Sequence, residues 1–261
     1  MHFFYLDDAF GSVPPDLIHH ILRRNHFPQA LQDYFKNLYS ATRSKVVTKT
    51  FQTEPFEFNK GVTQGDPMSP IIFILTFQPI IDFILKNDRY GVIINDKRVI
   101  TLPYADDFCL ITSNERTHQR QINKINFHIR SMGMELKPTK CRSFSIKKGK
   151  PLIVPFHIGD KEIPSIAHEE QKFLGKVIFF TGKSKETLSY FTEIFKDKLN
   201  NIDTAMVRGE YKMWMYTKYF LPSIRFLLTV HDITVSDLKK MDAMTHRFMK
   251  KWAGIPPSGT N

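Results

Sequence analysis

The chain has little of what would make it secreted, membrane-spanning or built around a metal. Its 261 residues contain only two cysteines, Cys109 and Cys141. Two thiols so placed make neither a zinc-ligand spacing nor a disulfide framework, and point to a reducing compartment, nucleus or cytoplasm. No apolar run reaches the ~18–20 residues that a membrane-spanning helix needs. The opening residues, Met1 to Asp8, mix aromatics with acids and lack the basic stretch and apolar core of a secretory signal. Internal repeats and low-complexity tracts are absent. The paired His19-His20 has no partner at metal-ligand spacing and reads as surface. Acids are also scarce, 26 Asp/Glu against 37 Lys/Arg, a net charge of +11. That balance favours a polyanionic partner, of which nucleic acid is the commonest, with a basic membrane-surface protein as the alternative. The length allows a sizeable core and two domains.

What is present is a mixed pattern. The sequence predicts a short strand over 3–7, helices over 15–42 and a hairpin over 46–58. A long helix follows Pro70 and ends near Asn87, and Gly91 to Ile100 reads as a hairpin turning at Asn95-Asp96. Residues 114–131 form an amphipathic helix with Ile122, Ile125, Phe127 and Ile129 on or near one side; strands recur at 142–146, 152–158 and 173–179. This is an α+β pattern with an antiparallel centre. Beyond about residue 181 the spacing of Leu188, Phe191, Ile194, Phe195, Leu199 and Ile202 is helical. The last helix takes Ser236 as its N-cap and Leu238, Met241, Thr245, Phe248 and Trp252 as its buried stripe, and is stopped by Gly254 and Pro256-Pro257. Its other side carries Lys239, Lys240, Arg247, Lys250 and Lys251. Residues 183–261 hold 13 Lys/Arg against 8 Asp/Glu, a denser positive charge than the 24 against 18 of the first 182. That basic face is either a solvated surface or a contact for phosphates.

The most informative residues are Tyr104-Ala105-Asp106-Asp107. Apolar runs frame them, Val99-Ile100-Thr101-Leu102 before and Phe108-Cys109-Leu110-Ile111 after, so the break reads as a tight turn between paired strands. Adjacent carboxylates repel, and burying them is costly unless a cation pairs with them. Oxygen ligands suit Mg²⁺, which takes one or two carboxylates and completes its shell with water and phosphates. An ordinary polar turn is the plainer reading. A second feature lies upstream: Gly61-Val62-Thr63-Gln64-Gly65-Asp66-Pro67-Met68-Ser69-Pro70, then a helix-length apolar stretch. Pro67 or Pro70 suits a first helical turn, where no N–H is needed, and Gly65 lets a backbone approach a ligand.

Together these segments resemble two core motifs of reverse transcriptases, nearest to the non-LTR (LINE-type) retrotransposon branch, which is related to the group II intron enzymes. Gly133-Met134-Glu135-Leu136-Lys137-Pro138-Thr139-Lys140-Cys141 is similar to the next motif in order, and Phe173-Leu174-Gly175 to the primer-grip region after it. The resemblance implies a right-hand polymerase palm with partial fingers (about 15–58) over residues 1–180, and a helical thumb over 181–261. It implies an RNA-directed DNA polymerase that transfers nucleotides onto a primer 3′-hydroxyl with two Mg²⁺ or Mn²⁺ ions, with RNA template, DNA primer and deoxynucleotides as partners. The alternative is a remnant that keeps the fold and binds nucleic acid without catalysis. Asp106, Asp107 and Asp7 are the implied catalytic and metal-holding carboxylates. Phe10, Gln64, Gly65 and Lys140 would face the nucleotide, and the five basic residues of the last helix the nucleic acid.

The first motif of the family resembles Asp, three residues, Ala, then an aromatic. Asp8-Ala9-Phe10-Gly11-Ser12-Val13-Pro14 fits its second half, but four residues before Ala9 stands Tyr5. Asp7 is the nearest aspartate, and reads as the expected residue in a motif two residues short. Two residues of strand span about 6.6 Å and keep side-chain parity, so Asp7 is expected on the correct face. The chain also starts almost on this motif, which reads as an N-terminal truncation with most of the fingers, and any endonuclease region, elsewhere in a longer polyprotein.

Overall fold

A computed structural model describes residues 1–256 apart from 58, 169, 182, 183 and 232, with the backbone alone for 184 and 185. Pro257 and Phe58, both within segments assigned from the sequence, lie outside the described residues. The elements run β1 (His2–Phe4), α1 (Pro15–Arg24), α2 (Gln29–Ala41), β2 (Arg43–Ser44), β3 (Phe56–Glu57), α3 (Ser69–Leu85), β4 (Val92–Ile94) and β5 (Lys97–Val99). They continue with β6 (Thr101–Tyr104), β7 (Asp107–Leu110), α4 (Glu115–Ser131), β8 (Arg142–Ser143), β9 (Ser145–Lys147), β10 (Lys150–Leu152), β11 (Phe156–Ile158) and β12 (Lys161–Ile163). Last come β13 (Gln171–Phe173), β14 (Lys176–Ile178), α5 (Ser184–Thr204), α6 (Gly209–Met215), a π-helical turn at Tyr216–Phe220, α7 (Leu221–Val230) and α8 (Val235–Trp252). The fold is therefore mixed, and every named strand pair is antiparallel. No described helix is long and apolar enough to cross a membrane.

The chain divides into two compact units, Met1–His168 and Glu169–Asn261, a division that falls ahead of the 180/181 boundary implied by the resemblance. In the first, a four-stranded sheet runs β6-β7-β1-β8. Its centre is held by phenylalanines. The Phe4 ring stacks on its cross-strand partner Phe108 at 4.8 Å, Phe108 meets Phe77 of α3 at 5.5 Å, Phe77 meets Phe73 at 5.8 Å, and Phe73 stacks on Phe10 at 4.8 Å. Phe4, Phe73, Phe77 and Phe108 are fully buried, each stabilising the fold by about 1.5–3 kcal/mol relative to exposure. This file of rings ties the sheet to α3 and reaches Phe10.

Local signals explain most boundaries. The helical region 15–42 is two helices, because His26 adopts φ +56° and Pro28 follows. Asn95 and Asp96, at φ +47° and +61°, make the expected two-residue turn between β4 and β5. Asn114 caps α4 by accepting from the Thr117 N–H at 3.2 Å. Ile122, Ile125 and Ile129 of that helix are buried, but Phe127 is 68% exposed. It stands two residues from Ile125 and Ile129, about 200° round the helix, on the opposite face. The strand expected at 152–158 is instead the end of β10 and the whole of β11, each with its own hairpin partner.

In the second unit, Phe191, Phe195, Leu199 and Ile202 of α5 pack with Tyr216, Phe220, Ile224, Met241 and Trp252 in a separate core. Asp203 fastens the end of α5 to the end of α8, accepting from Lys251 Nζ at 2.6 Å and Trp252 Nε1 at 2.9 Å. The N-cap of α8 is Thr234, not Ser236: the Thr234 hydroxyl accepts from the Asp237 N–H at 3.3 Å. At the other end the Ile255 N–H returns to the Lys250 carbonyl at 2.9 Å, closing the helix with a Schellman turn.

Candidate active site

The hairpin β6–β7 carries the two adjacent carboxylates. Tyr104 and Asp107 are the last register pair, so Ala105 and Asp106 form a two-residue loop. Ala105 takes φ +52°, a left-handed conformation that costs a non-glycine residue about 1–2 kcal/mol. Strain of that kind at a loop tip that presents charge suits a functional turn. Asp106 and Asp107 are both half-buried. Burial holds the Asp107 carboxyl above the usual carboxylate range, and the adjacent Asp106 charge adds to the shift. This is the electrostatic imprint of two like charges at the edge of a core.

On the other side of β7 lies β1, paired His2↔Leu110, Phe3↔Cys109, Phe4↔Phe108. One further step of the same register sets Tyr5 opposite Asp107. Asp7 is two residues beyond. Its N–H donates to the Glu135 carbonyl at 2.9 Å, while the Lys137 N–H donates to the Tyr5 carbonyl at 2.9 Å, around a Leu6–Leu136 bridge. The Asp7 side chain is engaged on that same side, accepting from Lys137 Nζ at 2.7 Å. This hydrogen bond, with the charges of Lys137 and Lys140, holds the Asp7 carboxyl below the usual range. The structure does not bring Asp7 together with Asp106 and Asp107, and no group of three or more His, Cys, Asp or Glu able to hold a metal ion occurs among the described residues. The signal for this was already in the count of four from Ala9 to Tyr5; what the sequence did not offer was Lys137 as the partner of Asp7.

The remaining candidates are distributed as follows. Phe10 is half-buried with one ring face against Phe73, so it is in part a core aromatic. Its carbonyl accepts from the Val62 N–H at 2.8 Å, and the Val13 carbonyl from the Gly61 N–H at 2.8 Å. This pairing puts Gly61 so close to the 10–13 segment that a β-carbon there would lie 2.8 Å from Gly11 Cα. It hangs the exposed Gln64-Gly65 turn directly beyond Phe10. Gly65 has φ +93° and open space where a side chain would stand, so its backbone is approachable. Asp66 receives the Met68 N–H at 3.0 Å, and Ser69 Oγ donates to the Thr63 carbonyl at 2.7 Å, fixing this turn to the start of α3. Lys140 is exposed, and close enough for its charge to act on Asp7.

On α8, Lys251 is drawn to Asp203 and Lys240 pairs with Asp237 at 3.3 Å, whereas Lys239 and Arg247 have no ion-pair partner among the described residues. Lys239, His246, Arg247, Lys250 and Lys251 line one depression along that helix, together with Asp242. A separate cavity of about 400 Å³, lined by Ile18, His19, Phe35, Lys36, Tyr39 and Arg43 among others, shares no residue with the hairpin. His19, expected at the surface, lines it and is only half-exposed; His20 is exposed.

Residues 1–178 match the family model described as reverse transcriptase (RNA-dependent DNA polymerase). This chain belongs to that family. It is similar to the retrovirus-related Pol polyprotein from type-1 retrotransposable element R2 of Nasonia vitripennis, 26% identical over 95% of this chain. It is likewise similar to the Pol polyprotein from type-2 retrotransposable element R2DM of Drosophila melanogaster, 25% identical over 95% of this chain. In each case the match spans 24% of the relative, so the chain covers about a quarter of the length of these proteins. The expectation of a LINE-type retrotransposon reverse transcriptase domain is met by these relatives.

Reverse transcriptases generally use divalent cations, so the residues of this one can be tested against such an ion. Mg²⁺ demands near-ideal octahedral geometry at about 2.0–2.1 Å from its oxygens. The hairpin offers Asp106 and Asp107. The third anionic oxygen is not there, because Asp7 is committed to Lys137. The donor set is adequate for half of a two-ion site and does not fit the whole.

Proposed function

We propose that this chain is the polymerase core of a retrotransposon protein of the R2 kind, built to hold an RNA template with a DNA primer. In this reading the first unit acts as palm with partial fingers over about 15–58, and α5–α8 act as thumb. The single observation that carries it is the strained hairpin that presents Asp106-Asp107 at the edge of the four-stranded sheet. Asp106 and Asp107 face the reacting phosphates, while Phe10, Gln64, Gly65 and Lys140 border the incoming deoxynucleotide. Lys239, Lys240, Arg247, Lys250 and Lys251 meet the duplex backbone. Contacts of this kind position a duplex without reading its sequence.

The test is binding of an RNA–DNA hybrid as a function of salt. Five phosphate contacts predict a slope of log affinity against log salt of about −4.5. Replacing Lys239 and Arg247 together by alanine is expected to make it shallower by about 2, with no change in preference among duplex sequences. Binding that ignores salt, or no binding, sinks the proposal. A second reading, a chain that keeps nucleic-acid binding without nucleotidyl transfer, is favoured by one observation: the ion pair that ties Asp7 to Lys137.

A further inference from the structure

Asp7 and Asp8 both lie just beyond β1, but the sheet decides which backbone position can serve the hairpin. In the β1–β7 ladder, side chains paired in register share a face: Phe4 and Phe108 are partners, and their rings stack at 12° to one another. Carried one step past its last pair, Phe4 with Phe108, that register sets Tyr5 against Asp107, whose partner on the other flank is Tyr104. Across three strands the row therefore reads Tyr104, Asp107, Tyr5. Side chains directly opposite one another carry Cβ atoms about 4.5–5.5 Å apart, within reach of a shared cation. Asp7 is about 6.6 Å further along the strand direction, and its N–H is held there by the Glu135 carbonyl. Asp8 is turned into its own loop, where Oδ1 accepts from the Gly11 N–H at 3.3 Å.

We propose that residue 5, and not residue 7, is the position from which a third carboxylate would complete the Asp106-Asp107 site, and that the tyrosine there leaves this chain unable to hold a pair of divalent cations. The inference rests on the reading of the chain as a polymerase core, and narrows it to a core that grips primer and template without extending the primer. A phenol has an ordinary pKa of about 10, so at neutral pH it is an uncharged oxygen donor and a poor substitute for a carboxylate. Two adjacent carboxylates can still share one ion with nucleotide phosphates, as Mg²⁺ sites often do. They lack the third anionic oxygen that would hold a second ion beside it.

The experiment is a gain of function in the full chain. Mn²⁺ binding is followed by the electron paramagnetic resonance signal of the free ion for wild type, Tyr5→Asp, Tyr5→Asn and Tyr5→Asp with Asp106→Asn. Tyr5→Asp is expected to bind Mn²⁺ at least tenfold more tightly than wild type. Tyr5→Asn should gain nothing, and Asp106→Asn should remove the gain. Equal Mn²⁺ affinity in folded wild type and folded Tyr5→Asp overturns the inference. Should Tyr5→Asp fail to fold, primer extension on an RNA template decides: wild type is expected at the level of its own Asp106→Asn variant. Wild-type extension that Asp106→Asn abolishes overturns the inference as well. Hybrid binding is read on the same samples. Its absence defeats the polymerase-core reading, whereas binding that persists while Tyr5→Asp gains no cation defeats this inference alone.

Discussion

β1 and its continuation are pinned at both ends by a pair of side chains, and the two pairs are physical opposites. At the start, the imidazoles of His2 and His118 are hydrogen-bonded in a fully buried setting, each ring packed against Phe156. Beyond the end, the Asp7 carboxylate meets Lys137 at 2.7 Å on a surface where the two side chains are 52% and 39% exposed. Burial keeps the first pair neutral: it lowers the His118 pKa to about 2 and the His2 pKa well below the usual range, helped for His2 by His118 itself. The second pair is charged and solvated. The first can therefore contribute much to stability and nothing to catalysis. The second contributes little to stability, because exposed ion pairs are screened, but it decides where a carboxylate stands. What holds a strand in place and what aims its functional groups are separate jobs, done here by different chemistry.

The comparison is broken most severely at Phe108, the β7 partner of Phe4. Phe108→Ala empties a fully buried ring site between Phe4 and Phe77 and is expected to cost about 3–5 kcal/mol in urea unfolding of the full chain. A cost below about 1 kcal/mol would mean that the ring file does not join the two ends. Next in size is the response of the buried pair to acid. Both imidazoles have lower pKa values folded than unfolded, so below about 6.5 the unfolded chain binds more protons and stability falls as pH falls. The contribution is complete above about pH 6.5 and declines by about 1.4 kcal/mol per pH unit for each histidine, or about 2–3 kcal/mol in all by pH 5.5. Urea midpoints at pH 7.5 and 5.5 measure it, and His118→Gln should remove a large part of the slope. An unchanged slope would mean that the imidazoles are hydrated and free to protonate.

The same contrast marks how far the sequence can be read. Hairpin chemistry was legible, because it is written in adjacent residues: Asn95-Asp96 and Ala105-Asp106 both turn where the pattern places them. Core phenylalanines were legible as apolar runs. Sheet order was not, since β8 reaches β1 only through the 132–141 connection, and nothing in a one-dimensional pattern says which strands become neighbours. The site suffers from the same limit. Counting along the chain offered a choice between Tyr5 and Asp7, and chemistry favoured the aspartate. Register across the strands favours Tyr5, because β1 and β7 pair without a bulge up to Phe4 and Phe108. A cap such as Thr234 was missed for a smaller reason: Ser236, with its hydroxyl 2.7 Å from that of Thr234, carries an equivalent group two residues on.

The smallest effect is the sharpest test of the exposed end. Lys137→Ala removes the first cause of the lowered Asp7 pKa and leaves the weaker pull of Lys140. The Asp7 titration midpoint, followed by carbon-detected nuclear magnetic resonance, is expected to rise toward the ordinary value near 3.9, with the thermal midpoint at neutral pH essentially unchanged. The sign follows from the lowered folded pKa: the pair favours folding above about pH 3.9 and is lost as pH falls through the folded value, below the window in which the histidines begin to act. Because the backbone of Asp7 stays bonded to Glu135, freeing its side chain should not deliver it to the hairpin, and Mn²⁺ affinity should stay at the wild-type level. A rise in Mn²⁺ affinity on Lys137→Ala alone would show that Asp7 swings across to Asp106 once released, and that the ion pair, rather than the tyrosine at residue 5, is what withholds the third carboxylate.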